Sequence, residues 1–175
     1  MMDTFTIKNA KVWIDNKLVD KDIYVERGTI KLIEKNIQIG KGKVYNFKNH
    51  IVVPGLIDVH VYLKEPGFNY IEDIVSGSKA AAHGGYSTIC CMPNLGTQAP
   101  TAGDLKFIID RAKQVGIVNI LPYSSITVNR DGVCELVNFD ENAKYAFAFC
   151  DDGGITKSDK IMRQAMLEAK RVKKV

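Results

Sequence analysis

Histidine is scarce in this chain: 175 residues hold three, His50, His60 and His83, and none lies beyond position 83. A site built from several histidines in the second half is therefore excluded. Cysteine is also sparse, and Cys90, Cys91, Cys134 and Cys150 contain no C-x-x-C pair, which argues against a disulfide framework and a zinc knuckle. Buried reduced thiols are the simplest reading, and they suit a cytoplasmic protein. No apolar run approaches the roughly 18–20 residues needed to cross a bilayer, so no membrane role is expected. The opening Met1-Met2-Asp3-Thr4-Phe5 lacks a basic segment followed by an apolar one, so no secretory leader is expected. Charge of one sign is missing too: 24 basic against 20 acidic residues leave a net charge of +4. The basic residues are scattered except at Lys170-Arg171 and Lys173-Lys174, which suit a helix C-terminus better than a nucleic-acid surface. With 46% apolar and 25% charged residues, 14 Gly and 5 Pro, the composition excludes collagen-like, low-complexity and disordered chains.

What is present changes rhythm near residue 50. Residues 5–48 read as short strands: 5–7, 10–14, 18–19, 23–26, 30–33 and 44–47. Arg27-Gly28-Thr29 gives a hairpin signal. The expectation is a small antiparallel β unit over residues 1–50, too small for a comfortable core of its own. From 51 to 175 strand, loop and helix alternate. Strands are expected at 56–63, 86–92, 117–123 and 145–150. Helices are expected after Asn69 (with Glu72 at capping-box spacing), after Thr101 and after Ser158. Gly84-Gly85 and Gly116 close the first two helices, and the stretch 124–143 reads as irregular. Alternation of this kind predicts an α/β fold with a parallel sheet. Four βα units in about 125 residues make a partial (β/α)8 TIM barrel, since a full one takes roughly 250.

The strand Ile57-Asp58-Val59-His60-Val61-Tyr62-Leu63 carries the candidate chemistry. Side chains alternate along a strand, so Asp58, His60 and Tyr62 share one face and the apolar set points the other way, toward helices. In a parallel barrel the polar set would face the interior at the C-terminal end, where barrel active sites lie.

The string from Val53-Pro54-Gly55 through His60 to Pro66-Gly67 resembles the first barrel strand of the amidohydrolase superfamily, whose signature ends in His-x-His. Glu72-Asp73-Ile74-Val75-Ser76-Gly77-Ser78, Ala80-Ala81-Ala82-His83-Gly84-Gly85-Tyr86, Cys91-Met92-Pro93-Asn94 and Ala148-Phe149-Cys150-Asp151-Asp152-Gly153 narrow the resemblance. They point to dihydroorotases of the type with an Asp in place of a carbamylated lysine, and the likeness covers essentially the whole chain as an N-terminal portion. It implies a cytoplasmic hydrolase that interconverts N-carbamoyl-aspartate and dihydroorotate in pyrimidine biosynthesis. Zinc would polarise the ring carbonyl and activate water. By the same resemblance His60 is the first histidine ligand, and Asp152 (with Asp151 as the alternative) the carboxylate ligand. Lys64 stands where an arginine grips the substrate carboxylate, and Asn94 where an asparagine contacts it. Simpler roles stand beside these: a polar turn for 151–153, a turn residue for Asn94, a loop lysine for Lys64. His50 and His83 have no motif support and read as structural or surface residues.

Three departures from the family pattern point one way. Tyr62 occupies the second histidine position, and a phenol must lose a proton of pKa near 10 before it binds zinc well. Lys64 keeps the positive charge of the arginine but not its bidentate geometry. The resemblance also implies further histidines and a catalytic aspartate from later strands, which this chain does not contain, so no catalytic residue is assigned within it. The expectation is weak or absent zinc and no activity of the chain alone, with self-association or a protein partner. A second reading is a non-catalytic dihydroorotase-like scaffold that binds a partner such as aspartate transcarbamoylase. A third, an enzyme for another cyclic amide such as hydantoin or allantoin, fits Cys91-Met92-Pro93-Asn94 less well.

Overall fold

The computed structural model describes residues 4–38, 42–94, 100–133, 135–154 and 158–175. Cys134, one of the expected buried thiols, lies outside them; Cys90, Cys91 and Cys150 are free thiols. The chain divides into two compact units, Met1–Pro54 and Gly55–Val175.

The first unit is a five-stranded sheet. β1 (Phe5–Ile14), β2 (Lys17–Glu26) and β3 (Thr29–Glu34) form an antiparallel meander, and β4 (Lys43–Asn46) and β5 (Ile51–Val52) both pair with β1. The β2–β3 loop is two residues, Arg27 and Gly28, both at positive φ (51° and 75°). That is the turn whose twist matches the flanking strands. Two expectations need correction. Residues 5–14 are one strand, not two, because a bulge between Ile7 and Ala10, with Asn9 at φ 61°, absorbs the break in alternation. The unit is not purely antiparallel, since β4 and β5 run parallel to β1. Short-range turn chemistry reports hairpins only; the return of β4 to β1 is a long-range pairing that leaves no turn signal. Ala10, Val12, Ile23 and Val25 form its core. Beside them Asp22 is buried, accepting from Lys8 Nζ (2.6 Å) and from the N–H groups of Asn9 (2.9 Å) and Ile37 (3.0 Å).

The second unit is α/β. β6 (Leu56–Val61), β7 (Tyr86–Cys91) and β8 (Asn119–Pro122) form a parallel sheet, joined by α1 (Ile74–His83) and α2 (Ala102–Val115). Ile74, Ile89, Leu105 and Ile108 are almost fully buried, with Leu63 and Cys91 beside them. α2 begins at Thr101 with the capping box that Asp104 completes, and α4 (Asp159–Arg171) begins at Ser158, as the sequence predicts. α1 starts later than predicted. Its cap is Asp73, paired with Ser76, while the Asn69 side chain accepts from Gly67 N–H instead.

The predicted strand over 145–150 is reduced to one parallel bridge, Ser124 to Phe149. Ser124 N–H donates to Ala148 O and Cys150 N–H to Ser124 O, and Phe147 N–H reaches Pro122 O. A second bridge, Tyr123 to Ala148, would need Ala148 N–H on Pro122 O, but Phe147 N–H occupies that oxygen, so the pairing slips by one residue. The chain also enters this segment from α3 (Phe139–Asn142), a short helix where irregular backbone was expected, which takes up the N–H groups of Tyr145 and Ala146. On α4 the helical spacing of Ile161, Met162, Ala165, Met166, Ala169 and Val172 predicts one buried face, yet only Ala165 and Ala169 are buried and Met166 is exposed. On β6 the apolar set was expected to face helices, but Ile57 (63% exposed) and Val59 (57%) lie open while Val61 and Leu63 join the core. Among the described residues β6 pairs only with β7, so its other edge carries no strand. Among the described residues no helix is long and apolar enough to cross a membrane.

Candidate active site

Parallel strands bring their C-terminal ends to one side of a sheet, so residues distant in sequence meet there. His60 lies near the end of β6 and Tyr62 just past it; Asp152 follows the Ser124–Phe149 bridge. The Tyr62 hydroxyl donates to Asp152 Oδ1 at 2.9 Å across 90 residues of sequence. His60 Nε2 stands 3.2 Å from that hydroxyl and 3.4 Å from Asp152 Oδ1. Because the phenol spends its proton on Asp152, its lone pair accepts from His60, which places the imidazole proton on Nε2. The His60 and Tyr62 rings meet edge to face, with centroids 5.4 Å apart. The Asp152 side chain is nearly buried, whereas that of His60 is half exposed. His60 N–H in turn donates to Asp58 Oδ1 at 3.0 Å.

Lys64 and Asn94 reach the same place. Lys64 Nζ lies 4.8 Å from the centre of the Tyr62 ring and donates to the backbone oxygen of Asn94 at 3.3 Å. A cation over an aromatic face is attracted by the ring quadrupole. This corner therefore holds an imidazole, a phenol, a carboxylate and an ammonium.

The two aspartates of 151–152 face different tasks. Asp151 is 5% exposed, and its carboxylate accepts from Ile126 N–H (2.7 Å), Thr127 N–H (3.0 Å) and Thr127 Oγ1 (2.6 Å). It anchors the loop after β8, and only Asp152 turns toward His60. His50 Nδ1 donates to Lys48 O at 3.1 Å within the first unit, and His83 ends α1.

The electrostatics favour uncharged donors. The hydrogen bond to Asp152, burial, and the charge of Asp152 hold the Tyr62 phenol above its usual range. Burial lifts the Cys90 and Cys150 thiols, reinforced by Asp58 and by Asp152 respectively, and it pushes Cys91 up to about 12. None of these thiols is an activated nucleophile.

Sequence reasoning missed the residue that holds the loop in shape. Glu65, 4% exposed, accepts from Ile74 N–H at the start of α1 and from Arg111 Nε of α2, both at 3.0 Å. Its only sequence signal is a carboxylate one residue past Lys64, which does not separate it from a surface glutamate. Among the described residues no three His, Cys, Asp or Glu side chains form a metal-sized cluster. A cleft of about 990 Å³, lined by Gly85, Gly116, Phe147 and Lys174 among others, includes none of the candidate residues.

The sequence model of a family described as dihydro-orotase-like matches residues 49–175. The chain is 38% identical over 167 residues to a dihydroorotase of Listeria monocytogenes serovar 1/2a, covering 94% of this chain and 39% of that protein. It is 40% identical over 147 residues to a dihydroorotase of Aquifex aeolicus, covering 83% of this chain and 34% of the other. Among solved structures, the L-hydantoinase (dihydropyrimidinase) from Arthrobacter aurescens superposes with a TM-score of 0.81 at 19% identity, covering 99% of this chain and 40% of that one. The N-acyl-D-glutamate deacylase from Bordetella bronchiseptica, solved with zinc and a phosphonate inhibitor, superposes at 0.69 and 13% identity, covering 100% and 44%. At such identities the likeness is one of fold. The chain spans about 39% of the length of the Listeria relative.

Proposed function

Because the chain belongs to the dihydro-orotase-like family, we propose that it carries one part of a dihydroorotase-like cyclic amidohydrolase, acting on dihydroorotate and N-carbamoyl-aspartate, and that these 175 residues alone do not turn over. In this reading residues 1–50 are part of a β-sandwich. Residues 51–175 are the first half of a (β/α)8 barrel, with β6, β7, β8 and the segment bridged at Phe149 as successive staves.

The observation that carries it is the meeting of His60 Nε2 and Asp152 Oδ1 at 3.4 Å, beside the Lys64 ammonium. Two donors that close can share one cation at the roughly 2.0–2.2 Å of zinc bonds to nitrogen and oxygen. Lys64 supplies positive charge for a substrate carboxylate, and Asn94 frames the same edge. The donor set falls short of a zinc centre, however. A catalytic zinc keeps about three protein ligands, and the third position here is a neutral phenol already bonded to Asp152. The reading therefore expects zinc well below one equivalent and no ring opening. Elemental analysis paired with a ring-opening assay on dihydroorotate tests both. Stoichiometric zinc with turnover would overturn the inactivity.

A non-catalytic scaffold is the second reading, and two features favour it. The Tyr62–Asp152 hydrogen bond satisfies the donor pair without a metal. Leu56, Ile57 and Val59 stand exposed on β6 beside an edge that, among the described residues, pairs with no strand, and such an edge invites pairing with another polypeptide. Co-purification with aspartate transcarbamoylase at fixed stoichiometry would support it; a lone species at every concentration would sink it.

A further inference from the structure

The His60–Tyr62–Asp152 corner fits a hydrogen-bonded clasp better than a zinc site, and one oxygen makes the difference. The Tyr62 hydroxyl donates to Asp152 Oδ1 at 2.9 Å and accepts from His60 Nε2 at 3.2 Å. The nitrogen that stands 3.4 Å from Asp152 therefore carries a proton and has no lone pair to offer a cation. Both atoms that would hold a metal are thus engaged by the same hydroxyl, one as its acceptor and one as its donor.

The ring that carries this hydroxyl is aimed by other contacts. Met92 N–H donates to Val61 O at 2.9 Å, which ties the end of β6 to the end of β7 just before Tyr62. Lys64 Nζ lies 4.8 Å from the ring centre, and the His60 ring meets it edge to face at 5.4 Å. Asp152 in turn depends on the hydroxyl. Its side chain is 8% exposed, against 54% for His60. Among the described residues the side chains that reach its carboxylate are those of Tyr62 and His60. A nearly buried carboxylate needs a donor or a cation. Here a proton that stays on the phenol meets the need, so a cation approaching Oδ1 must first displace a charge-assisted hydrogen bond.

We infer that the Tyr62 hydroxyl is a plug: it occupies both ligand atoms of the His60–Asp152 pair, closes the pair to divalent cations, and opens it when the hydroxyl alone is removed. The inference rests on the reading of His60 and Asp152 as a metal-binding pair. It differs in sign from the idea that Tyr62 is only a poor third ligand. Removing a poor ligand leaves zinc binding unchanged or weaker, whereas removing a plug strengthens it.

The test dialyses the 175-residue protein and its variants against zinc sulfate and measures bound zinc. The urea midpoint and the His60 ring-nitrogen resonances are read with and without the metal. Tyr62→Phe keeps the ring with its Lys64 and His60 contacts and loses only the hydroxyl. It should bind zinc about 10- to 100-fold more tightly than the unsubstituted protein, the worth of one hydrogen bond to an ionised group. Zinc should raise its midpoint and shift the His60 nitrogens, and should do neither in the unsubstituted protein. Adding Asp152→Asn to Tyr62→Phe should abolish the gain. Tyr70→Phe, at a residue 83% exposed and outside the corner, should show none. Measurable zinc bound equally or less tightly by Tyr62→Phe would overturn the plug while leaving the metal-binding pair intact. A gain that persists with Asp152→Asn would place the zinc elsewhere and overturn it too. Zinc held by no variant would overturn the pair itself, and the inference with it.

Discussion

Replacing Asp151 with alanine separates the two adjacent aspartates by a measurable free energy. Three donors converge on the Asp151 carboxylate: Ile126 N–H, Thr127 N–H and Thr127 Oγ1. Thr127 is fully buried. A buried donor left without an acceptor costs about 1–3 kcal/mol, and hydrogen bonds to an ionised group sit at the upper end. The Thr127 hydroxyl can rotate, so the two backbone N–H groups set the penalty, about 3–5 kcal/mol in total. Set against a typical domain stability of about 5–15 kcal/mol, such a loss moves a urea midpoint strongly. Among the described residues the helices all lie in the Gly55–Val175 unit, so helical circular dichroism reads that unit's unfolding. Asp152→Ala, which releases one bond from a partly exposed phenol, should leave the midpoint within error. The reasoning fails if Asp151→Ala costs less than about 1 kcal/mol, or if the two variants lose stability equally.

Two further outcomes concern the first unit, where the only tryptophan, Trp13 on β1, provides a separate fluorescence signal. Burial pushes the Asp22 carboxyl up, but the Lys8 ammonium and the N–H groups of Asn9 and Ile37 outweigh it and hold the group below its usual value. A depressed folded value means the stabilisation is complete above the unfolded pKa of about 3.9 and drains away as pH falls through the lower folded value. Urea midpoints read by Trp13 should fall through that window, and in Asp22→Asn the midpoint should lose this component; parallel curves would contradict the assignment. Arg27 holds φ 51° before Gly28, a conformation that asparagine adopts at lower cost. Arg27→Asn should raise the Trp13 midpoint by an amount worth up to about 1 kcal/mol, and a lowered midpoint would refute the turn assignment.

Much of the fold was legible wherever the signal is local. Thr101 and Asp104 form a reciprocal cap, and so announce α2 without reference to anything distant. Ser158 does the same for α4, and Arg27-Gly28 marks its hairpin. Misreadings arose where neighbours compete or partners are remote. Asn69 and Asp73 both fit a cap, and Glu65 decides between them by accepting the Ile74 N–H from a residue nine positions away. The strand expected at 145–150 is lost through a one-residue slip, with Phe147 rather than Ala148 donating to Pro122 O, and only the pairing of that segment beside β8 reveals it.

Residue types and their order determined by themselves that an α/β alternation follows a β unit, that His60 and Tyr62 share a strand face, and that a phenol replaces an imidazole there. These are consequences of period-two geometry and side-chain chemistry, which need no knowledge of distant residues. Only the tertiary structure decided that Asp152 turns to meet them while Asp151 turns away, and that the Tyr62 hydroxyl stands between His60 and Asp152, accepting from one and donating to the other. Adjacent residues of like chemistry are indistinguishable until the loop after β8 supplies three donors to one and leaves the other to Tyr62 and His60.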